Sequence, residues 1–377
     1  MSAGDVPGMS RRTLMNASVS GLGAASVAGL AAACTGTGGK AASTDRGTSV
    51  GRELADMVLE AFKTHRLVGL GEAHGLQNHH DAVTLLLTDP RLPEVVDDIV
   101  VEFGNALYQP TIDRFISGHP VDNADLRPVW RNTTQSPLET WDEPVYEQFF
   151  RTVRAVNAPL PPGKQIRALL GDPPIDWPKI TNFSGLRAFA PERDTHAASV
   201  IDKQVLAKDH RALICYGLDH LTHGGSLAGL LERRTGERMY LIADFLPLAG
   251  DPGGLARRLS RYPRDTVVPT AGTWLGSVDA GLFSPDPFGP HGQQANRRCA
   301  FRLGSVIDAA LYLGQPGNLT SSWWNPAIFL DHAYWKELQR RNALQGNIVN
   351  LDSYRRQDLS APFPRTKLPP SEECGKT

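Results

Sequence analysis

The stretch of sequence that decides the fold is Leu67-Val68-Gly69-Leu70-Gly71-Glu72-Ala73-His74-Gly75-Leu76-Gln77-Asn78-His79-His80. Its apolar first half ends abruptly in one acid and three histidines. A buried strand that opens onto ionisable groups is how an α/β protein builds a site at the carboxyl end of its sheet. Glu72 and His74 lie two residues apart, so in an extended chain their side chains leave on the same side. The segment therefore predicts a strand that ends in a carboxylate beside an imidazole.

Three further apolar runs end in the same way. These runs and the polar residues that follow them are 99–101 with Glu102, 166–170 with Asp172, and 212–216 with His220. In an open parallel sheet the carboxyl ends of the strands lie on one rim, where ligands bind. The recurrence predicts an α/β fold with a mostly parallel sheet flanked by helices, and one functional site along that rim. Shorter strands are predicted at 239–243 and 266–268, and a late apolar segment at 305–314.

The region 106–157 interrupts this pattern, because it lacks strand-like runs. Its aromatic residues fall at spacings that favour helices: Trp130, Trp141, Tyr146, Phe149 and Phe150. We expect a helical insertion or lid after the second of the four main strands. Flanking helices are predicted at 53–65, 191–208, 226–234 and 331–341. The Pro- and Gly-rich segment 285–298 predicts an exposed loop near the site, and Asp308 is either a further site residue or a structural acid.

Composition excludes several classes of protein. The chain has 377 residues, 41% of them hydrophobic, with 39 basic and 40 acidic residues for a net charge of -1. It can bury a full core, and it lacks the excess charge that attracts nucleic acid. The sequence shows no zinc-finger spacing, Walker loop or basic–aromatic patch, so no nucleic-acid partner is expected. Cys215 is expected to be a core thiol, whereas pairing of Cys299 with Cys374 remains open.

The amino terminus has the pattern of a bacterial export signal. Ser10-Arg11-Arg12-Thr13-Leu14-Met15 is a twin-arginine pattern, and a weakly apolar stretch follows it. Ala31-Ala32-Ala33-Cys34 resembles a lipobox, in which Cys34 is lipidated and anchors the mature protein to the membrane. Plain cleavage and secretion is the alternative. We therefore expect a signal over 1–34, a flexible tether over 35–48, and a single α/β domain over 49–377.

The remaining candidate residues are histidines. His79 and His80 begin an amphipathic segment, and only one of two neighbouring helical positions is expected to face Glu72. His220 and His223 lie three residues apart, so on a helix they would share a face and both reach the rim. A cluster of this composition can orient a general base, share a proton, or bind a divalent metal.

Taken together, the motifs resemble a known superfamily. Gly71-Glu72-x-His74 with His79-His80, then Glu102, then Gly217-x-x-His220, is similar to the superfamily of ChaN-type haem-binding lipoproteins, erythromycin esterases and Tiki/TraB proteins. The resemblance is closest to the ChaN branch, whereas His220-Leu221-Thr222-His223 resembles the paired histidines of the esterase branch. It implies a parallel α/β core with clustered Glu and His residues. The esterase spacing, Glu-x-x-His, is one residue longer than here, which argues against hydrolysis of macrolide rings.

These observations favour an exported hydrolase of a small molecule or peptide. We expect His74 to activate water, Glu72 and Glu102 to orient it, and His220 and His223 to stabilise an oxyanion or protonate the leaving group. A metal-bound version stays open, in which Glu72, His74, Glu102 and His220 would hold Zn, Mn or Co.

Two other functions stay open. The first is a cell-surface lipoprotein that binds haem or an iron compound through surface Tyr or His ligands, with His79 and His80 as the candidate cofactor-binding residues. The second is an assembly protein that uses the aromatic insertion as an interaction face.

Overall fold

The computed structural model describes residues 51–138, 141–283, 301–358 and 360–365. All of them belong to one compact unit. The segments predicted as an export signal (1–34), a tether (35–48) and an exposed loop (285–298) lie outside the described residues, as do Cys34, Cys299 and Cys374.

An eight-stranded sheet forms the centre of the described chain. Its strands are β1 (Arg52–Glu53), β2 (Leu67–Glu72), β3 (Asp98–Asn105), β4 (Arg167–Asp172), β5 (Ala212–Gly217), β6 (Tyr240–Asp244), β7 (Thr266–Pro269) and β8 (Ala309–Tyr312). The spatial order is β1-β7-β8-β6-β2-β5-β3-β4. Strand β7 runs antiparallel to both of its neighbours, β1 and β8, and the other neighbouring pairs are parallel. The predicted mostly parallel α/β sheet is confirmed.

Helices cover both faces of this sheet. They are α1 (Leu54–Ala61), α2 (Gln77–Leu87), α3 (Gln109–Ile116), α4 (Asn123–Leu126), α5 (Pro128–Arg131), α6 (Pro144–Asn157), α7 (Phe183–Arg187), α8 (Arg193–Gln204), α9 (Leu227–Thr235), α10 (Leu255–Leu259) and α11 (His332–Leu344). Helices α3 to α6 lie between β3 and β4, where the sequence predicted a helical insertion. Within the described ranges, no helix is long and apolar enough to cross a membrane.

The central strands are buried on both faces, and alternate residues supply the two halves of the core. On β3, Ile99, Val101 and Phe103 pack into the half formed with α1, α2 and α6. Val100, between them, packs into the opposite half with α8 and α9. A strand covered on both faces needs apolar residues at every position. This explains why the strand sequences are continuous apolar runs and do not alternate between apolar and polar residues.

The aromatic residues of the insertion belong to the core. All five are at least 97% buried: Trp130, Trp141, Tyr146, Phe149 and Phe150. Phe103 of β3 packs against four of these rings at centroid distances of 4.9 to 6.1 Å. These five rings therefore do not form the exposed interaction face considered as an alternative, because the insertion folds down onto the sheet and buries them.

Strand order determines which side chains meet. Strands β6, β2, β5, β3 and β4 are consecutive neighbours and parallel, so their carboxyl ends lie on one rim. Each of them ends in or near a polar residue, in the spatial order Asp244, Glu72, His220, Glu102 and Asp172. The candidate site is built along this rim.

Candidate active site

Glu72 and His74 form a hydrogen-bonded pair at the end of β2. The Nδ1 atom of His74 lies 2.8 Å from Glu72 Oε1, and the His74 side chain is 19% exposed whereas that of Glu72 is buried. Burial by itself would raise the pKa of Glu72, but the hydrogen bond from His74 and the surrounding imidazoles outweigh it and lower the pKa. Glu72 is therefore ionised at neutral pH, and Nδ1 is the nitrogen of His74 that donates to it. Nε2 is then the nitrogen that accepts a proton.

Glu102 at β3 faces the other nitrogen of His74. The distance from His74 Nε2 to Glu102 Oε2 is 3.8 Å, too long for a direct hydrogen bond but suited to a water oxygen that bonds to both. Gly217 makes this approach possible. A Cβ atom at that position would lie 2.7 Å from the His74 ring and 3.2 Å from Glu102 Oε2.

The Glu102 carboxylate is buried and held by several donors. The backbone N–H of Gly217 donates to Oε2 at 2.6 Å, and Gln135 Nε2 donates to Oε1 at 3.0 Å. Arg193 also donates to Oε1. Burial would raise the pKa of Glu102, but the charge and hydrogen bond of His220 and the charge of Arg193, joined by His74 when that ring is protonated, hold it well below its usual range. A carboxylate with such a low pKa orients water well but accepts a proton from it poorly.

His220 lies between two carboxylates. Its Nδ1 is 2.6 Å from Asp194 Oδ1, and its Nε2 is 3.4 Å from Glu102 Oε1. Burial would lower the pKa of His220, but Glu102 and Asp194 raise it to about 10. At neutral pH His220 is therefore an imidazolium, and with Arg193 it places two positive charges beside Glu102.

His79 and His80, in the first turns of α2, are both buried and both face Glu72. His79 Nδ1 lies 2.9 Å from Asp244 Oδ1 and its Nε2 3.8 Å from Glu72 Oε2, whereas His80 Nε2 lies 3.5 Å from the same Glu72 oxygen. Burial would lower the pKa of His79, but Asp244 raises it; burial lowers the pKa of His80 to about 3. The prediction that only one of them faces Glu72 is wrong, because the carboxylate lies beside the helix start, within reach of both.

His223 lies away from this cluster. The chain after His220 forms turns instead of the predicted helix, so the two histidines do not share a face. His223 Nε2 is 2.8 Å from Asp308 Oδ2, and its Nδ1 is 3.2 Å from Glu232 Oε1. Asp308 also accepts a backbone N–H from β6. The role predicted for His223 at the rim is therefore wrong, and of the two alternatives for Asp308 the structure supports the structural acid, because these side chains bind each other and tie their loop to the sheet.

The predicted metal site does not fit the structure. Of its four expected ligands, His220 bonds to Asp194 through Nδ1, and Glu102 accepts hydrogen bonds from Arg193, Gln135 and the Gly217 backbone N–H. Glu72 and His74 bond to each other instead. Across the described ranges, no group of three or more His, Cys, Asp or Glu side chains is arranged to hold a metal ion.

Haem ligation by His79 and His80 does not fit either. These side chains are 1% and 5% exposed. A haem iron needs an axial nitrogen that faces a pocket wide enough for the macrocycle. Here the rings lie between α2 and the sheet, directed at Glu72 and Asp244.

Asp172, at the end of β4, holds the segment that carries Gln135. The backbone N–H and the hydroxyl of Thr134 donate to its two oxygens at 2.8 and 2.5 Å. Burial raises the pKa of Asp172 to about 7. Because Thr134 adjoins Gln135, this contact fixes the side chain that donates to Glu102.

Two aromatic residues of the insertion cover the Glu72–His74 pair. The Tyr146 hydroxyl donates to Glu72 Oε1 at 3.4 Å and accepts the backbone N–H of Gly75 at 3.1 Å. The Trp141 ring stands edge-to-face on the His74 ring, with centroids 4.6 Å apart. The insertion thus forms one wall of the site.

Several residues of this site were not predicted from the sequence. Asp244 carries the same signal as Glu72, because it follows the predicted strand 239–243. Arg193 and Asp194 carry no such signal, since they lie at the polar start of a helix, and Arg193 is 91 residues from its partner Glu102. Gln135 and Tyr146 reach the site only because the insertion folds onto the sheet.

The chain is similar to several solved structures at low sequence identity. A protein of Bacillus cereus matches with a TM-score of 0.46 and 10% identity, over 71% of this chain and 92% of that chain. A mutant erythromycin esterase EreC in its open conformation matches with a TM-score of 0.44 and 12% sequence identity, over 69% of this chain and 93% of that chain. ChaN of Campylobacter jejuni with cofacial haem matches with a TM-score of 0.33 and 14% sequence identity, over 51% of this chain and 85% of that chain. The ChaN and esterase groups named from the motifs are thus both represented. No family model and no curated protein matches the chain.

Proposed function

We propose that this protein is a metal-independent hydrolase that cleaves an ester or another carboxylic acid derivative with a water activated by His74. The observation that carries the proposal is the His74 ring, fixed by an ionised Glu72 on one nitrogen and directed at Glu102 with the other. This geometry defines the tautomer and direction of a general base. Glu102 supplies the second acceptor that orients the water.

The reaction balances with these groups alone. His74 Nε2 takes one proton from water while the water oxygen bonds to the carbonyl carbon, and the carbonyl electron pair moves onto its oxygen. The tetrahedral intermediate then expels the alcohol or amine, which takes the proton from His74. Arg193 and His220 offset the charge of Glu102, so a second negative charge develops beside it at lower cost. The carboxylic acid product retains the water oxygen.

Export is proposed separately and rests on the sequence alone. The twin-arginine pattern at Arg11 and Arg12 and the lipobox-like Cys34 support export with a lipid anchor. A hydrolase tethered in this way would act on substrates outside the cytoplasm.

The proposal is tested on the full chain with 4-nitrophenyl acetate, a small lactone and an unstructured peptide. The assay is run in water enriched in oxygen-18, with and without EDTA. We expect turnover of at least one carbonyl substrate, one oxygen-18 atom in the acid product, and the same rate with EDTA. A rate abolished by EDTA and restored by Zn²⁺, Mn²⁺ or Co²⁺ would contradict the metal-independent mechanism. Absence of turnover on all three substrate classes would contradict hydrolysis of this kind.

A further inference from the structure

Trp141 has an unfavourable backbone conformation. Its φ of 53° lies in the left-handed region, which a bulky side chain rarely adopts. The following residue, Asp142, is fixed by hydrogen bonds from Arg131 Nε at 2.8 Å and the Tyr334 hydroxyl at 2.6 Å. The surrounding structure therefore imposes this conformation. Backbone strain of this kind is concentrated at functional sites.

The indole N–H of Trp141 is unsatisfied as well. The side chain is 1% exposed, and its Nε1 has no hydrogen-bond partner among the described residues. Trp177 provides the contrast, because it is equally buried and its Nε1 donates to the Thr133 carbonyl at 3.0 Å. Buried donors are almost always paired, so an unpaired one calls for a functional explanation.

The ring that carries this unpaired donor lies beside the proposed base. The Trp141 ring contacts the His74 ring at 4.6 Å and the Tyr146 ring at 4.8 Å. An unpaired acceptor lies at the same site. The Oε1 atom of Gln135 has no partner among the described residues, although its Nε2 donates to Glu102. A substrate with a carbonyl oxygen and a nearby donor would satisfy both groups.

We propose that the Trp141 indole N–H donates a hydrogen bond to the substrate carbonyl oxygen, which becomes the oxyanion when water adds. This inference rests on the proposed hydrolysis and adds a substrate-binding residue to it. An indole donor suits this task because it is rigid and needs no reorientation during the reaction. The same donor would recognise any ligand that places an acceptor oxygen beside His74.

The test compares Trp141→Phe with Trp177→Phe, which delete the same atoms at equally buried positions. Phe keeps an aromatic ring at each position but has no N–H. In Trp177→Phe the Thr133 carbonyl loses its donor, whereas in Trp141→Phe no protein group does. We expect Trp177→Phe to melt about 2 °C or more below Trp141→Phe. Equal or greater destabilisation by Trp141→Phe would show that its N–H serves the fold, and would overturn the proposal.

The second arm measures catalysis and binding. On an ester that the wild type hydrolyses, we expect Trp141→Phe to lower kcat about 100-fold. A kcat within threefold of wild type would overturn the inference and leave the proposed hydrolysis intact. Phenylphosphonate, whose tetrahedral oxygens resemble those of the intermediate, serves as the binding probe and needs no turnover. It should bind wild type at least tenfold more tightly than Trp141→Phe, and equal affinity or no binding would overturn the inference.

Discussion

At the scale of single residues, the site depends on a close approach at the end of β5. Gly217 lies where the His74 ring and the Glu102 carboxylate converge, and its backbone N–H donates to Glu102. Any side chain at this position would occupy the space between base and carboxylate. The absence of a Cβ atom there is therefore a requirement of the site.

We predict that Gly217→Ala lowers kcat/KM about 100-fold, because the new methyl group displaces the His74 ring from its catalytic position. Gly163→Ala is the matched control, since a Cβ at that exposed position meets no atom within 4 Å. Kinetic assays of both variants on one ester check the prediction. Wild-type kinetics in Gly217→Ala would show that His74 is not held as described.

A second residue-scale prediction concerns pH. The pKa of His220 is raised to about 10 in the folded protein, above its ordinary value near 6.5. Its ion pairs therefore contribute full stability below about pH 6.5, and this contribution is lost as pH rises through about 10. Urea unfolding of wild type and His220→Gln should show the largest stability difference near pH 6 and a shrinking one toward pH 10. A difference that is constant across this range would contradict the protonated state of His220.

The residue-level predictions from sequence succeeded where the geometry was local. Glu72 and His74 are two residues apart in an extended chain, so their proximity followed from strand periodicity. The grouping of His220 with His223 failed because it assumed a helix where the chain forms turns. The pairing of Arg193 with Glu102 depends on the packing of α8 against the sheet. Residue spacing within a single element cannot predict such a contact.

At the scale of secondary-structure elements, Asp244 joins β6 to the start of α2. Its Oδ2 accepts the backbone N–H of Ala73 at 3.1 Å, and its Oδ1 lies 2.9 Å from His79 Nδ1. Both contacts are with the segment that follows β2. One buried carboxylate thus fixes the connection that carries His74.

We predict that Asp244→Asn lowers the free energy of unfolding by about 3 kcal/mol, because it leaves the buried His79 without its ionic partner. Asp202→Asn is the control. Asp202 pairs with Arg234 on the surface, and loss of that pair costs about 0–1 kcal/mol. Urea denaturation measures both variants, and equal stabilities would show that Asp244 does not fix this connection.

Element prediction from sequence worked best for the central strands. Runs such as 99–101 and 212–216 are apolar at each position because helices cover both faces of the sheet. The insertion was predicted as helical, but its burial was not foreseen. Its aromatic residues become core only because Phe103 and the Glu72–His74 pair lie beneath them, a fact of tertiary packing.

At the scale of the whole molecule, the strand order creates the site. Strands β2, β5 and β3 are neighbours although the helical insertion and β4 separate β3 from β5 in sequence. The sequence showed which strand ends carry polar residues, but it did not give this order. The residues of the rim could therefore be predicted from the sequence, but which of their side chains lie next to each other could not.

The proposed export is tested on the full chain. We predict that replacing Arg11 and Arg12 with Lys retains the protein in the cytoplasm of a bacterial host with its leader uncleaved, because the twin-arginine route requires both arginines. Cys34→Ala should move exported protein from the membrane fraction to the soluble fraction. Immunoblots of cell fractions check both results, and membrane retention of Cys34→Ala after a high-salt wash would exclude lipidation as the anchor.

The measurement that tests the central claim most directly is the kcat/KM of His74→Gln on an ester that the wild type hydrolyses. His332→Gln is the control, because His332 is an exposed histidine at the start of α11. We predict that His74→Gln loses at least about 1000-fold in kcat/KM, as expected for removal of a general base, with a melting temperature close to that of wild type. His332→Gln should match wild type in both. A folded His74→Gln that keeps activity within a few-fold of wild type would contradict the account.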